Sequence, residues 1–143
     1  MDFLFTLKFL KIVATSIFIF ILLDFLWLAV VASKLYSQSL GFLAMLDSKG
    51  KVVFNIPVGV LVQATLSLGL SVVIGMSLQL DNRLVVSIST GAFISFVIYM
   101  VYDFTNLSFV KGWPLWISIV DAVWGIAQGA AAGIYVYYFN KIF

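Results

Sequence analysis

The segment IVATSIFIFILLDFLWLAVVAS, Ile12 to Ser33, decides how this chain folds. It lies between Lys11 and Lys34 with a single charged residue, Asp24, inside it. Crossing about 30 Å of hydrocarbon takes about 20 residues of helix at ~1.5 Å per residue, and the segment is long enough. Its place near the first residue, behind Lys8 and Lys11, and the passable cleavage site Val30-Val31-Ala32 make a secretory signal the rival reading. That reading is the poorer one, because the run exceeds the usual signal core of about 7–15 residues and Asp24 interrupts it. A retained membrane-spanning helix is expected.

Three further apolar runs of the same kind follow. Ile56 to Leu80 has Pro57 in its first turn, where a missing N–H costs least. Asp81-Asn82-Arg83 makes a polar turn into Leu84 to Leu107, and Lys111-Gly112 breaks the chain before Pro114 to Phe139. The expected fold is all-α: an integral membrane four-helix bundle, up-down-up-down, with residues 1–143 as one transmembrane domain and helices at 12–33, 56–80, 84–107 and 114–139. The longest connection, Leu35 to Val53, is apolar at Leu40, Phe42, Leu43, Met45 and Leu46, which suggests a short interfacial helix before the turn Asp47-Ser48-Lys49-Gly50.

Composition agrees: 64% of the residues are hydrophobic and 10% charged, with a mean hydropathy of +1.17. A net charge of +2 from scattered Lys and Arg leaves no footprint for nucleic acid, so the expected partner is the lipid bilayer. There is no Cys and no His, hence no thiolate, no disulfide and no neutral-pH imidazole base, and no cofactor is expected. Tyr36, Trp113, Trp116, Tyr135, Tyr137 and Tyr138 fall where aromatic belts sit in the headgroup region. Four crossings put Lys8, Lys11, Arg83 and Lys141 on one side and Lys34, Lys49, Lys51 and Lys111 on the other, a tie that leaves orientation open.

Three of the acids lie inside the apolar runs: Asp24, Asp103 and Asp121. A carboxylate at a helix centre costs about 2.5–3.5 kcal/mol on insertion scales, and such residues face the bundle interior and mark a site. Counted from Lys34, Lys111 and Pro114 at ~1.5 Å per residue, all three lie roughly 10–15 Å deep, in one layer. Helical spacing puts Trp27 with Asp24, Trp124, Gly125 and Gln128 with Asp121, and Tyr99, Tyr102 and Asn106 with Asp103, while Asn55 and Gln63 approach from the second helix. The pattern Asp-x-x-Trp occurs twice, at Asp24/Trp27 and Asp121/Trp124, so each indole N–H is placed to donate to the carboxylate one turn before it. If instead Asp103-Phe104-Thr105-Asn106 unwinds at the interface, the layer shrinks to two acids. Gly125, Gly129 and Gly133 form a small-residue face that admits close helix approach, from a helix of the same chain or from a second copy in a homo-oligomer.

Three motifs in order resemble a known family: Leu23-Asp24-Phe25-Leu26-Trp27-Leu28; Tyr102-Asp103-Phe104-Thr105-Asn106-Leu107 with Lys111-Gly112-Trp113-Pro114; and Asp121-Ala122-Val123-Trp124-Gly125. The chain is similar to the small bacterial membrane proteins grouped as domain of unknown function 2177. The resemblance spans nearly the whole chain and implies a multi-pass protein of the bacterial inner membrane. It carries no activity with it.

The residues themselves support three functions. In the first, a carrier coupled to protons or cations uses Asp24, Asp103 and Asp121 to take up a proton or a small cationic ligand, with Trp27, Trp124, Tyr99 and Tyr102 as π faces and Asn106 nearby. Clustered acids in apolar surroundings resist being charged together, so proton and cation can compete. In the second, the chain is a structural or assembly subunit whose polar groups tie helices together, although such contacts average only about 0.6 kcal/mol. The third, a Mg²⁺-dependent membrane enzyme with carboxylate ligands, is the weakest, because each helix offers one acid where metal motifs pair two, and no nucleophile has an evident base. The metal assignment stays open, and a non-enzymatic role is favoured.

Overall fold

The computed structural model describes residues 2–143, and all side chains among them except those of Asp2, Val31 and Phe42. Among these residues the chain is helical, with one isolated antiparallel pairing of Leu46 and Val52. Helix α1 (Leu7–Leu26) runs through a π-helical segment (Trp27–Ala32) into α2 (Ser33–Leu40). Then follow α3 (Ile56–Leu80), α4 (Leu84–Phe109) and α5 (Leu115–Ile142). Four helices, Leu7–Val30, Ile56–Leu80, Leu84–Phe109 and Leu115–Ile142, are long and apolar enough to cross a membrane.

Local chemistry sets the ends. The Thr6 hydroxyl accepts the Phe9 N–H at 3.1 Å, which starts α1 five residues ahead of the expected Ile12 and takes Lys8 and Lys11 into its first turns. Lys34 does not end the first span, because helical backbone continues to Leu40. The apolar connection therefore holds no separate helix: α2 extends α1, a 3₁₀ turn covers Gly41–Leu43, and the chain then reverses between Leu46 and Val52, while the side chain of Phe42 lies outside the described set. Asn55 caps α3 by accepting the Val58 N–H at 3.3 Å. Arg83 pairs with Asp81 across the turn into α4, and Gly112, at φ +85, supplies the left-handed residue between α4 and α5. Lys8 Nζ donates to the backbone carbonyl of Asn140 at 2.5 Å, so the start of α1 and the end of α5 lie at the same end of the bundle.

The distribution of side chains inverts that of a protein in water. Large apolar residues such as Phe18, Phe25, Leu61, Phe93, Ile119 and Val123 point outward, whereas Ser16, Ser67, Ser71, Ser87, Ser95 and Gln128 are buried. Lipid supplies no hydrophobic drive between helices, so small and polar residues take the interior. Phe20, Leu70, Ile74, Ala132 and Val136 form the apolar core where α1, α3 and α5 meet.

Helices α4 and α5 form the tightest pair. A Cβ added at Gly129 would overlap the Gly91 carbonyl oxygen, and one at Gly133 would overlap the Ser87 carbonyl oxygen, so backbone meets backbone. The buried Ser87 hydroxyl donates to the Gly133 carbonyl at 2.6 Å. A Cβ at Gly125 would come within 2.7 Å of the Tyr99 ring. The glycine face is thus filled by α4 of the same chain.

Candidate functional site

The three acids sit on three helices. Asp24 of α1 is 4% exposed, Asp103 of α4 is 1% exposed, and Asp121 of α5 is half-buried. Helix α4 continues unbroken to Phe109, so Asp103 lies within it and the unwinding considered from the sequence does not occur. Asp24 and Asp103 each lie within electrostatic reach of Asp121. Among the described residues the one ion pair is Arg83–Asp81, and none of these three acids has a cationic partner.

Their hydrogen bonds cross between helices, unlike the one-turn pairing expected from Asp-x-x-Trp. Trp124 Nε1 donates to Asp24 Oδ1 on the facing helix, at 3.3 Å, and not to Asp121 on its own. Gln63 Nε2 of α3 donates to Asp24 Oδ2 at 2.5 Å. The Tyr36 hydroxyl of α2 donates to Asp121 Oδ1. Trp27 and Trp124 stack face to face, ring centroids 4.4 Å apart and planes 6° off parallel, while the Trp27 N–H is buried without a partner. The Tyr99 hydroxyl donates to Gln128 Oε1 at 2.8 Å, leaving Gln128 Nε2 buried and free to face Asp24. Beside Asp103, whose Oδ1 has no partner, the Trp113 N–H goes to the Ser118 hydroxyl at 3.1 Å.

These groups wall a cavity of about 410 Å³, lined by Asp24, Trp27, Tyr36, Gln63, Tyr99 and Trp124, with Tyr102, 63% exposed, also on its wall. That volume falls within the about 300–1,000 Å³ of small-molecule sites, and its walls are largely apolar and aromatic, with few polar groups. The carboxylate of Asp24 is the charge in this lining.

Of the residues expected at the site, Asp24, Trp27, Trp124 and Tyr102 line this cavity, and Asp121 is joined to it through Tyr36. Asn106 does not line this cavity; it lines a separate, open depression along α4, with Tyr102 and Thr105. Gly125, Gly129 and Gly133 face α4. Two residues read as belt aromatics turn inward instead, Tyr36 to Asp121 and Trp113 to Ser118, whereas Trp116 and Tyr138 are exposed. Among the described residues no three acidic side chains gather closely enough to hold a metal ion.

The cavity thus joins the stacked indoles of Trp27 and Trp124 to the carboxylate of Asp24, which has no cationic partner, in a fold whose four long helices suit a membrane. A comparison with curated proteins and with solved structures finds no match to this chain. A family described as predicted membrane protein, domain of unknown function 2177, matches residues 9–138, so all three acids and both Asp-x-x-Trp pairs fall inside the matched span. The chain belongs to this family of multi-pass membrane proteins.

Proposed function

We propose that the protein is a proton- or cation-coupled carrier of small organic cations, working as one transmembrane domain that crosses the bacterial inner membrane up-down-up-down. One observation carries the reading: Asp24, without a cationic partner, lines a cavity walled by Trp27, Tyr36, Tyr99 and Trp124, and Asp121, also without one, is joined to that cavity through Tyr36. Unpaired charge in an apolar setting is costly, and a proton or a bound cation relieves it. Aromatic faces add attraction for a cation that has shed its water, about 2 kcal/mol in desolvated sites. Both chain ends at one end of the bundle fit an even number of crossings. The alternative, a structural subunit, draws on the same hydrogen bonds between helices. The Mg²⁺ enzyme loses support, because the carboxylates are spread over three helices and form no ligand set.

The test is carboxyl infrared spectroscopy on protein reconstituted in lipid, titrated with tetramethylammonium, for wild type and for Asp24→Asn, Asp103→Asn and Asp121→Asn. Asn keeps the shape of Asp and cannot ionise. A carrier shows a protonated carboxyl band that the cation abolishes, with a proton released to the medium, and Asp24→Asn removes the response. Spectra that ignore the cation in every variant, with folding intact, leave the structural reading.

A further inference from the structure

A second cavity, of about 240 Å³, lies between α1 and α3 and is almost wholly apolar, with Phe25, Ala29, Ile56, Gly59 and Val60 in its wall. It shares Asp24, Leu28, Val62 and Gln63 with the aromatic chamber. The Asp24 carboxylate therefore stands where the two spaces meet, an aromatic chamber on one side and an apolar groove on the other. From Gln63 to Ile56 the groove follows α3 for two turns, ~10 Å at ~1.5 Å per residue, which suits an alkyl chain of medium length.

Gly59 shows that the groove is unfilled on the α3 side. A Cβ built there meets nothing within 4 Å, unlike those at Gly125, Gly129 and Gly133, which collide with α4. The absence of a side chain at Gly59 is not explained by helix packing, and glycine in a helix costs about 1 kcal/mol relative to alanine. Gly59 is exposed in the groove wall, and the room it leaves is space that an alkyl chain can occupy.

We infer that the ligand is an amphipathic cation, its charged head in the aromatic chamber beside Asp24 and its alkyl tail in the groove between α1 and α3. This rests on the carrier reading and adds the tail. A neutral lipid chain would satisfy the groove but leave Asp24 unpaired. A compact cation would satisfy Asp24 but leave the groove empty. The shared wall favours one molecule that does both.

The test compares tetramethylammonium, octyltrimethylammonium and neutral octanol, binding to full-length protein in nanodiscs, followed by quenching of Trp27 and Trp124 fluorescence. Gly59→Leu extends into the groove from a position where an added Cβ meets no neighbour. Partitioning of the octyl chain into the bilayer is the same for both proteins, so the difference between them isolates the groove. The expected result is that Gly59→Leu weakens octyltrimethylammonium about tenfold and leaves tetramethylammonium within about twofold. Equal weakening of neither cation, with both still bound, overturns the tail and spares the carrier reading. Octanol displacing the octyl cation as well as another octyl cation does makes the groove a plain lipid-chain site and overturns the inference. Loss of both cations in Gly59→Leu, with unchanged thermal unfolding, overturns it too, since the groove would not be a separate compartment. If neither cation binds wild type, the carrier reading itself fails.

Discussion

The α4–α5 hairpin and the α1–α3 pair are built from similar residues and behave oppositely. Between α4 and α5 the glycines meet backbone, and the buried Ser87 hydroxyl finds the Gly133 carbonyl. Around α1 and α3 the glycines Gly59 and Gly69 face open space while Gly75 packs against Phe9, the hydroxyls of Ser16, Ser67 and Ser71 are buried without a protein partner, and the apolar groove opens. One side is a rigid frame and the other keeps room. In a membrane, where interior packing is the main source of helix association, room is what a structural element gives up last. Its concentration on the side that holds Asp24 and Gln63 points to use.

The strongest way to break this contrast is a pair of glycine substitutions. Gly129→Leu forces α4 and α5 apart and is expected to cost about 3 kcal/mol or more, while Gly69→Leu, on the open face of α3, is expected to stay within about 0.5 kcal/mol. Unfolding in mixed detergent reads both, and equal losses would erase the distinction. Next in size is Tyr36→Phe, which removes the donor to Asp121 and is expected to cost about 1.5 kcal/mol in the same assay. A serine pair refines the picture: Ser87→Ala is expected to cost about 1 kcal/mol because it removes a made bond, and Ser71→Ala about zero because it removes an unmade one.

The smallest effect lies outside the membrane, at the turn before α4. The hydrogen bonds from Arg83 hold the Asp81 carboxyl below its ordinary 3.8. A lowered value means that the pair's contribution is present above pH 3.8 and is lost as pH falls through the folded value. Asp81→Asn should therefore differ slightly from wild type at neutral pH and converge with it in acid. A difference that grows on acidification would overturn the assignment.

Much of this arrangement was legible in the sequence, and the parts that were not share a cause. Runs of apolar residues locate helices, and an acid inside such a run turns toward protein, so Asp24, Asp103 and Asp121 could be found by counting. Period 3.6 also gives which residues share a face, as Gly125, Gly129 and Gly133 do. It does not give what stands opposite. Trp124 therefore looked like the partner of Asp121, its neighbour one turn away, when the indole reaches across to Asp24. Asn106 lies one turn from Asp103 by spacing, yet it lines the depression on α4 with Thr105 and not the cavity that holds Asp24. Lys34 looked like a helix end because charge often marks the interface, but nothing in a helix obliges a solvated lysine to stop it.

The π-helical segment Trp27–Ala32 explains why Tyr36 escaped notice. In an unbroken α-helix, twelve steps of ~100° would set Tyr36 ~120° around the axis from Asp24, on another face. Bonds from i to i+5 absorb one extra residue in the turn, and the remaining eleven steps bring Tyr36 back to ~20° from Asp24. Both now line the same cavity. Length and rotation are thus separate controls in this helix: a single residue, Ala29 for example, is stored in its width, and deleting it would leave eleven ordinary steps with the tyrosine still ~20° from Asp24, whereas straightening the segment with that residue kept would swing the tyrosine ~120° away.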